Sequence, residues 1–190
     1  VSPILVRPVR EQLEHDRVIR LLQAKFRRRY EVGINPGTEQ NTPVGAAPGA
    51  SYPDVVLMSP ERRRRIEGII EVETSESVNN LEAIGQWARL AQLRAPLHLY
   101  VPAGSMDSAK RYCVDNRIGV AEIWTYHLLG DQLRFTLAHR FPAESRSASR
   151  QARARGASPP KAARRARSKI APRPRVKKTA AKPARAQKRK

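Results

Sequence analysis

The sequence predicts an α/β domain, a mixed central sheet flanked by helices, followed by a disordered cationic tail. Three observations lead there. Short segments rich in β-branched residues and bounded by Gly, Pro or Ser alternate with segments of helical period. Three strand segments come early and adjacent, before the first helical crossover, an arrangement that puts antiparallel and parallel pairs in one sheet. The charge is also divided: residues 144–190 hold 18 of the 37 Lys and Arg and one of the 17 Asp and Glu, a net of +17, whereas residues 1–143 carry +3.

Residues 10–29 predict the first helix, with Leu13, Val18, Leu21, Leu22 and Phe26 near helical spacing. Residues 30–34 predict a strand, stopped by Asn35-Pro36-Gly37. The stretch 38–51, rich in Gly, Pro, Ala and Thr, has no period; so long a loop in a small domain is functional or disordered. Strands are expected over 54–58 and 66–74, facing each other across Ser59 to Arg65. A helix over 80–93 follows, with Leu81, Ile84, Trp87, Ala88 and Ala91 as its apolar stripe. Residues 97–101 form a fourth strand, and Ser105 is placed to cap a third helix reaching 116. Residues 120–128 and 133–141 flank Gly130-Asp131 as a hairpin, with Leu133, Phe135, Leu137 and Phe141 on one face. Trp87 and Trp124 fall inside apolar segments and read as core.

At 190 residues the chain accommodates one domain with a proper core, here 1–142, and a tail over 143–190. A lone cysteine, Cys113, leaves no internal disulfide and suits a reducing cytoplasm. No apolar run reaches membrane-spanning length, and Ile4-Leu5-Val6 is broken at once by Arg7 and Pro8, unlike a secretory signal. The four histidines and Cys113 have no zinc-ligand spacing.

The chemistry concentrates in Tyr52-Pro53-Asp54-Val55-Val56-Leu57 and Gly68-Ile69-Ile70-Glu71-Val72-Glu73-Thr74. A strand's period of two aims Glu71 and Glu73 the same way, and Asp54 opens the neighbouring strand. Converging carboxylates repel, and a hard divalent cation relieves them while serving phosphodiester cleavage. The plainer readings are a turn acid at Asp54 and a solvated edge strand for Glu71 and Glu73, whose parity Glu67 shares. Gln86 equally reads as an exposed helix former, and Arg62, Arg63, Arg64 and Arg65 as a hairpin tip or a phosphate clamp.

Pro53-Asp54 followed by Glu71-x-Glu73 in an α-β-β-β-α-β order resembles the PD-(D/E)xK nuclease superfamily, whose fold is called restriction-endonuclease-like. The resemblance implies that Asp54 and Glu71 ligate Mg²⁺ or Mn²⁺, with the Val72 carbonyl a further ligand. It puts Glu73 where the family usually has lysine, as proton acceptor or holder of a second ion, and gives Gln86 an orienting role. Recombination-exonuclease relatives follow that glutamine, four residues on, with tyrosine; here the position is Leu90. Glu11 or Glu14 would add a ligand, and the sequence does not select between them. The implied activity is a metal-dependent nuclease acting on DNA, in the cytoplasm at the nucleoid, with a homodimer left open; the alternative is a non-catalytic nucleic-acid-binding protein that keeps the nuclease fold.

The tail, including Lys177, Lys178, Lys188, Arg189 and Lys190, has almost no bulky apolar residue and cannot offset the entropy of ordering. Its Lys/Arg-Ala-Pro texture resembles linker-histone-like tails. A flexible polycation of this kind binds nucleic acid by releasing counterions and has no apolar face for a membrane. If about ten of its charges meet phosphates, log K for DNA falls with log salt at a slope near −9. Truncation after Pro142 is expected to flatten that slope across all DNA sequences; an unchanged slope in a salt titration refutes the tail as the main source of affinity.

Overall fold

The computed structural model describes residues 8–45, 48–61, 65–129 and 132–142. All lie in the first of two units, Val1–Ser158; the second, Pro159–Lys190, is outside the described residues. The order is α1 (Val9–Phe26), β1 (Glu31–Ile34), β2 (Val55–Met58) and β3 (Ile66–Val72). Then comes a helical segment of three parts: α2 (Asn80–Glu82), a π-helical turn (Ala83–Trp87) and α3 (Ala88–Leu90). It is followed by β4 (Leu97–Pro102), a 3₁₀ turn (Ala103–Ser105), α4 (Met106–Asp115), β5 (Val120–Leu129) and β6 (Gln132–Arg140). No described helix is long and apolar enough to cross a membrane.

The six strands form one mixed sheet in sequence order, β1 to β6. The meander β1–β2–β3 and the hairpin β5–β6 pair antiparallel, while β3–β4 and β4–β5 pair parallel. Each parallel pair is joined through a helix, since a tight turn cannot reverse the chain twice.

Strand periodicity sorts the core into two layers. On one face Val18, Ile19 and Leu22 of α1 pack with Val55, Leu57, Ile70, Val72, Tyr100 and Tyr126. On the other, Trp87, Ala88, Leu90 and Ala91, with Ala109 and Cys113 of α4, pack with Val56, Ile69, Leu97, Leu99 and Ile123. Ile69 thus faces the helical segment 80–90, and Glu71 and Glu73 continue its parity. The edge-strand reading of these acids is overturned: β3 is interior, and Glu71 and Glu73 are 1% and 0% exposed. Only Glu67, at the start of β3, stays half-buried and pairs with Arg65 at 2.7 Å.

Several local expectations shift. The first helix ends at Phe26, where Arg27 N–H bonds back to Gln23 and Tyr30 N–H to Phe26. Its inner stripe is His15, Val18, Ile19 and Leu22, while Leu13 is 66% exposed. Leu81 and Ile84 are likewise exposed. Ser105 makes no capping hydrogen bond, because it belongs to the 3₁₀ turn. The capped helix is instead α2, where Asn79 Oδ1 accepts from the N–H groups of Leu81 and Glu82 at 2.9 and 3.0 Å. A bulge in the β5–β6 pairing, between Ile123 and Trp124, breaks the alternation expected along β6. Leu133 and Phe135 accordingly join the α1-side layer and Phe141 the opposite one. Trp124 is half-buried, stacked on Tyr100 with centroids 5.7 Å apart. Beside it Glu122 meets Trp124 Nε1, His98 and Arg140. Burial works to raise the Glu122 pKa, but those hydrogen bonds and charges hold it below the ordinary value.

The loop after β1 is folded back on itself. Asn35 donates from Nδ2 to the carbonyls of Thr42 and Pro53 and accepts from Thr42 N–H. Val44 and Ser51 exchange two backbone hydrogen bonds, and Val44 enters the core. Close packing leaves Gly33 no room for a side chain, as a Cβ there would meet Thr42 Cβ at 2.8 Å. Gly33→Ala is therefore expected to cost about 1–3 kcal/mol of stability. Gly85→Ala, where nothing lies within 4 Å, is expected to be neutral or to gain up to about 1 kcal/mol. Urea unfolding of both variants checks this, and equal shifts contradict the Gly33–Thr42 contact.

Candidate functional site

The site grows from the register of one strand pair. Val55 lies opposite Ile70 in the antiparallel β2–β3 ladder, so the next step outward sets Asp54 against Glu71. Asp54 N–H points at Glu71 Oε2, 3.4 Å away, and Val72 N–H donates to Asp54 Oδ2 at 2.8 Å. The two carboxylates named from sequence are thus cross-strand neighbours, Glu71 facing the Asp54 N–H and Asp54 the N–H of Val72.

Two helical elements complete the surroundings. From the π turn, Gln86 Nε2 donates to Glu71 Oε1, so Gln86 is half-buried and engaged rather than an exposed helix former. From α1, His15 Nε2 lies 3.1 Å from Asp54 Oδ2, and its Nδ1 lies 3.3 Å from Asp16 Oδ1. With both ring nitrogens against carboxylate oxygens, an imidazolium would donate to both. Asp16 is itself held by Gln12 Nε2 and by Gly37 N–H. Of the two first-helix acids, Glu11 Oε2 accepts from Thr74 Oγ1 at 3.3 Å, whereas Glu14 is exposed.

Glu73 shares the face of Glu71 but is used differently. Its Oε1 accepts from Trp87 Nε1 at 2.6 Å and its Oε2 from Ser77 Oγ. Its carbonyl accepts from Tyr126 OH at 2.7 Å, which ties β5 to the end of β3. Successive residues of the π turn, Gln86 and Trp87, therefore serve carboxylates two apart, one on β3 and one just past its end. Insertions of this kind re-aim helical side chains and concentrate at functional sites. Leu90, at the place of the expected tyrosine, is buried in the core.

Arg65 is exposed and bonded to Glu67, which raises the Arg65 pKa. Arg62, Arg63 and Arg64 lie outside the described residues, as do Lys177, Lys178, Lys188, Arg189 and Lys190. Comparison with family models, with curated proteins and with solved structures finds no match for this chain.

Among the described residues, no group of three or more His, Cys, Asp or Glu side chains is arranged to hold a metal ion. The donor set nonetheless fits a hard cation. Asp54 and Glu71 present oxygen, the hydrogen bonds to the Asp54 carboxylate both fall on Oδ2, and Mg²⁺ is commonly held by one or two carboxylates plus waters and phosphate oxygens.

Sequence reasoning overlooked His15, Ser77 and the bond between Trp87 and Glu73. His15 carried a signal: with Val18, Ile19 and Leu22 it continues the inward stripe of α1. A polar residue in such a stripe is aimed at something inside. Trp87→Phe keeps much of the shape but removes a donor to a buried carboxylate, so it is expected to cost about 2–3 kcal/mol. Glu73→Gln should cost less in that background than in the wild type, with a coupling above about 0.5 kcal/mol. Strict additivity in a double-mutant cycle contradicts the Trp87–Glu73 hydrogen bond.

Proposed function

We propose that this chain is a metal-dependent nuclease of the restriction-endonuclease-like fold acting on DNA, its cationic tail tethering it to the polyanionic substrate. The observation that carries the reading is the pairing of Asp54 with Glu71 across β2 and β3, with Gln86 bonded to Glu71. Two further features support it. The run from α1 to β4 has the order α-β-β-β-α-β, and the acids sit on the hairpin formed by the second and third strands.

Asp54 and Glu71 would hold Mg²⁺ or Mn²⁺. Such an ion supplies Lewis-acid stabilisation of the phosphate and a water of lowered pKa. The protein's own contribution is positional. Val72 N–H and His15 fix the Asp54 carboxylate, and Gln86 fixes that of Glu71, so neither must be ordered when substrate arrives. Glu11, turned toward Thr74, is a further acid at this end of the sheet. Glu73 serves as an anchor that seats Trp87 and Ser77, and through them the π turn.

That anchoring favours a second reading, a non-catalytic nucleic-acid-binding protein on the same fold. The family's lysine position is occupied by an acid whose two oxygens both accept protein hydrogen bonds. Cleavage and metal-induced thermal shift separate the two. For the nuclease, Mg²⁺ or Mn²⁺ raises the melting temperature by mass action, and Asp54→Ala or Glu71→Ala removes most of that rise together with DNA cleavage. Glu73→Gln, acting on an anchor, is expected to lower stability more than it lowers the cleavage rate per folded molecule. A wild type that binds DNA but shows neither cleavage nor a metal-induced shift is the binding module instead.

A further inference from the structure

We propose that the outer face of α1 is the folded body's docking surface for the phosphate backbone of duplex DNA. The inner face of this helix is committed: His15, Val18, Ile19 and Leu22 are buried, and His15 reaches Asp54. The outer face carries Arg10, Arg17 and Arg20, continued by Arg27 and Arg28 in the turn that follows, all exposed. Residues 10, 17, 20 and 24 share one face of α1 by the helical period, so the arginines are spread along a helix about 27 Å long, the length of some eight base pairs.

The stripe is more than ordinary surface charge. Segment 9–29 holds seven Lys and Arg against three acids, a net of +4, which exceeds the +3 of residues 1–143 as a whole. The positive surplus of the body is thus on this segment. Arg10, Arg20, Arg27 and Arg28 form no ion pair among the described residues, although Glu14 sets one negative charge beside them. Arginine's planar fork also suits phosphate oxygens in pairs.

An anionic membrane would offer the same charge, but the geometry disfavours it. Membrane-surface helices bury a continuous apolar face, and here that face is already packed on the sheet. The apolar residues left outside, Val9, Leu13 and Leu21, are interrupted by Arg17 and Arg20. A duplex along the outer face would lie roughly one helix diameter, about 10 Å, from the residues that meet Asp54.

The inference rests on the nucleic-acid part of the proposed function and not on catalysis, so it is tested on the full chain in EDTA. Burial pushes the native Cys113 thiol up to about 12, leaving it inert to mild alkylation, so an introduced surface cysteine takes a photo-crosslinker selectively. The probe is placed at Ala24→Cys on the outer face of α1, or at Val114→Cys, 58% exposed on α4 across the sheet. Expected is crosslinking of a bound duplex at least tenfold stronger from position 24. Replacing Arg10, Arg20, Arg27 and Arg28 by Gln should abolish that preference and reduce the salt slope by about 3–4. Replacing tail residues Arg164, Arg165, Arg173 and Arg175 by Gln, an equal charge change, should weaken binding but keep the preference. Equal crosslinking from both positions, or an α1 variant that binds and crosslinks like the wild type, overturns the proposal. So does docking of position 24 on phosphatidylserine vesicles in place of DNA. DNA binding without preference for position 24 removes this inference alone, whereas absence of DNA binding removes the proposed function as well.

Discussion

A carboxyl group leaves water only where hydrogen-bond partners replace it, and at the ends of β2 and β3 this chain buries three of them. Unpaired, each would cost several kcal/mol, enough to consume much of a small domain's stability. The donors come from every side. Asp54 takes Val72 N–H and His15, Glu71 takes Gln86, and Glu73 takes Trp87 and Ser77. The donors sit on α1, β3, the π turn and the stretch before α2, so one sheet corner holds together elements on both faces. Tyr126 adds β5 through the Glu73 carbonyl.

This constraint also accounts for the shape of the helical segment. A regular helix turns each residue by about 100°, which separates the directions of neighbouring side chains. Glu71 at the end of β3 and Glu73 just beyond it both take partners from the helical layer. The π turn answers this with adjacent residues, Gln86 for one acid and Trp87 for the other. The two acids nonetheless lead different lives. Both are buried, but Glu71 neighbours Asp54 and a half-buried glutamine, whereas Glu73 spends its oxygens on Trp87 and Ser77.

The first helix links that corner to the surface. Its inward side supplies the apolar contacts of one core layer together with His15 and Glu11, and its outward side presents arginine. Apolar packing and surface charge are thereby separated by face. Exposed arginines can be lost with little effect on folding, while His15 belongs to the buried carboxylate network.

Much of the architecture was legible in the sequence because period two and period 3.6 are local properties. Strand and helix order, the β5–β6 hairpin and the shared face of Glu71 and Glu73 all follow from spacing within one segment. The turn chemistry of Asn35-Pro36-Gly37 marked the end of β1 in the same way. What spacing cannot carry is register and burial. Sequence alone could not distinguish an edge strand from an interior one, so the enclosure of Glu71 and Glu73 depended on β4 pairing in parallel beside them. Nor could it turn Glu11 toward Thr74, seat His15 on Asp54, or turn Gln86 inward, since each contact joins residues remote in the chain. The identities of the acids and the division of charge were set by the sequence itself. Their meeting was decided by the tertiary structure, because only the antiparallel step that pairs Val55 with Ile70 carries Asp54 to Glu71.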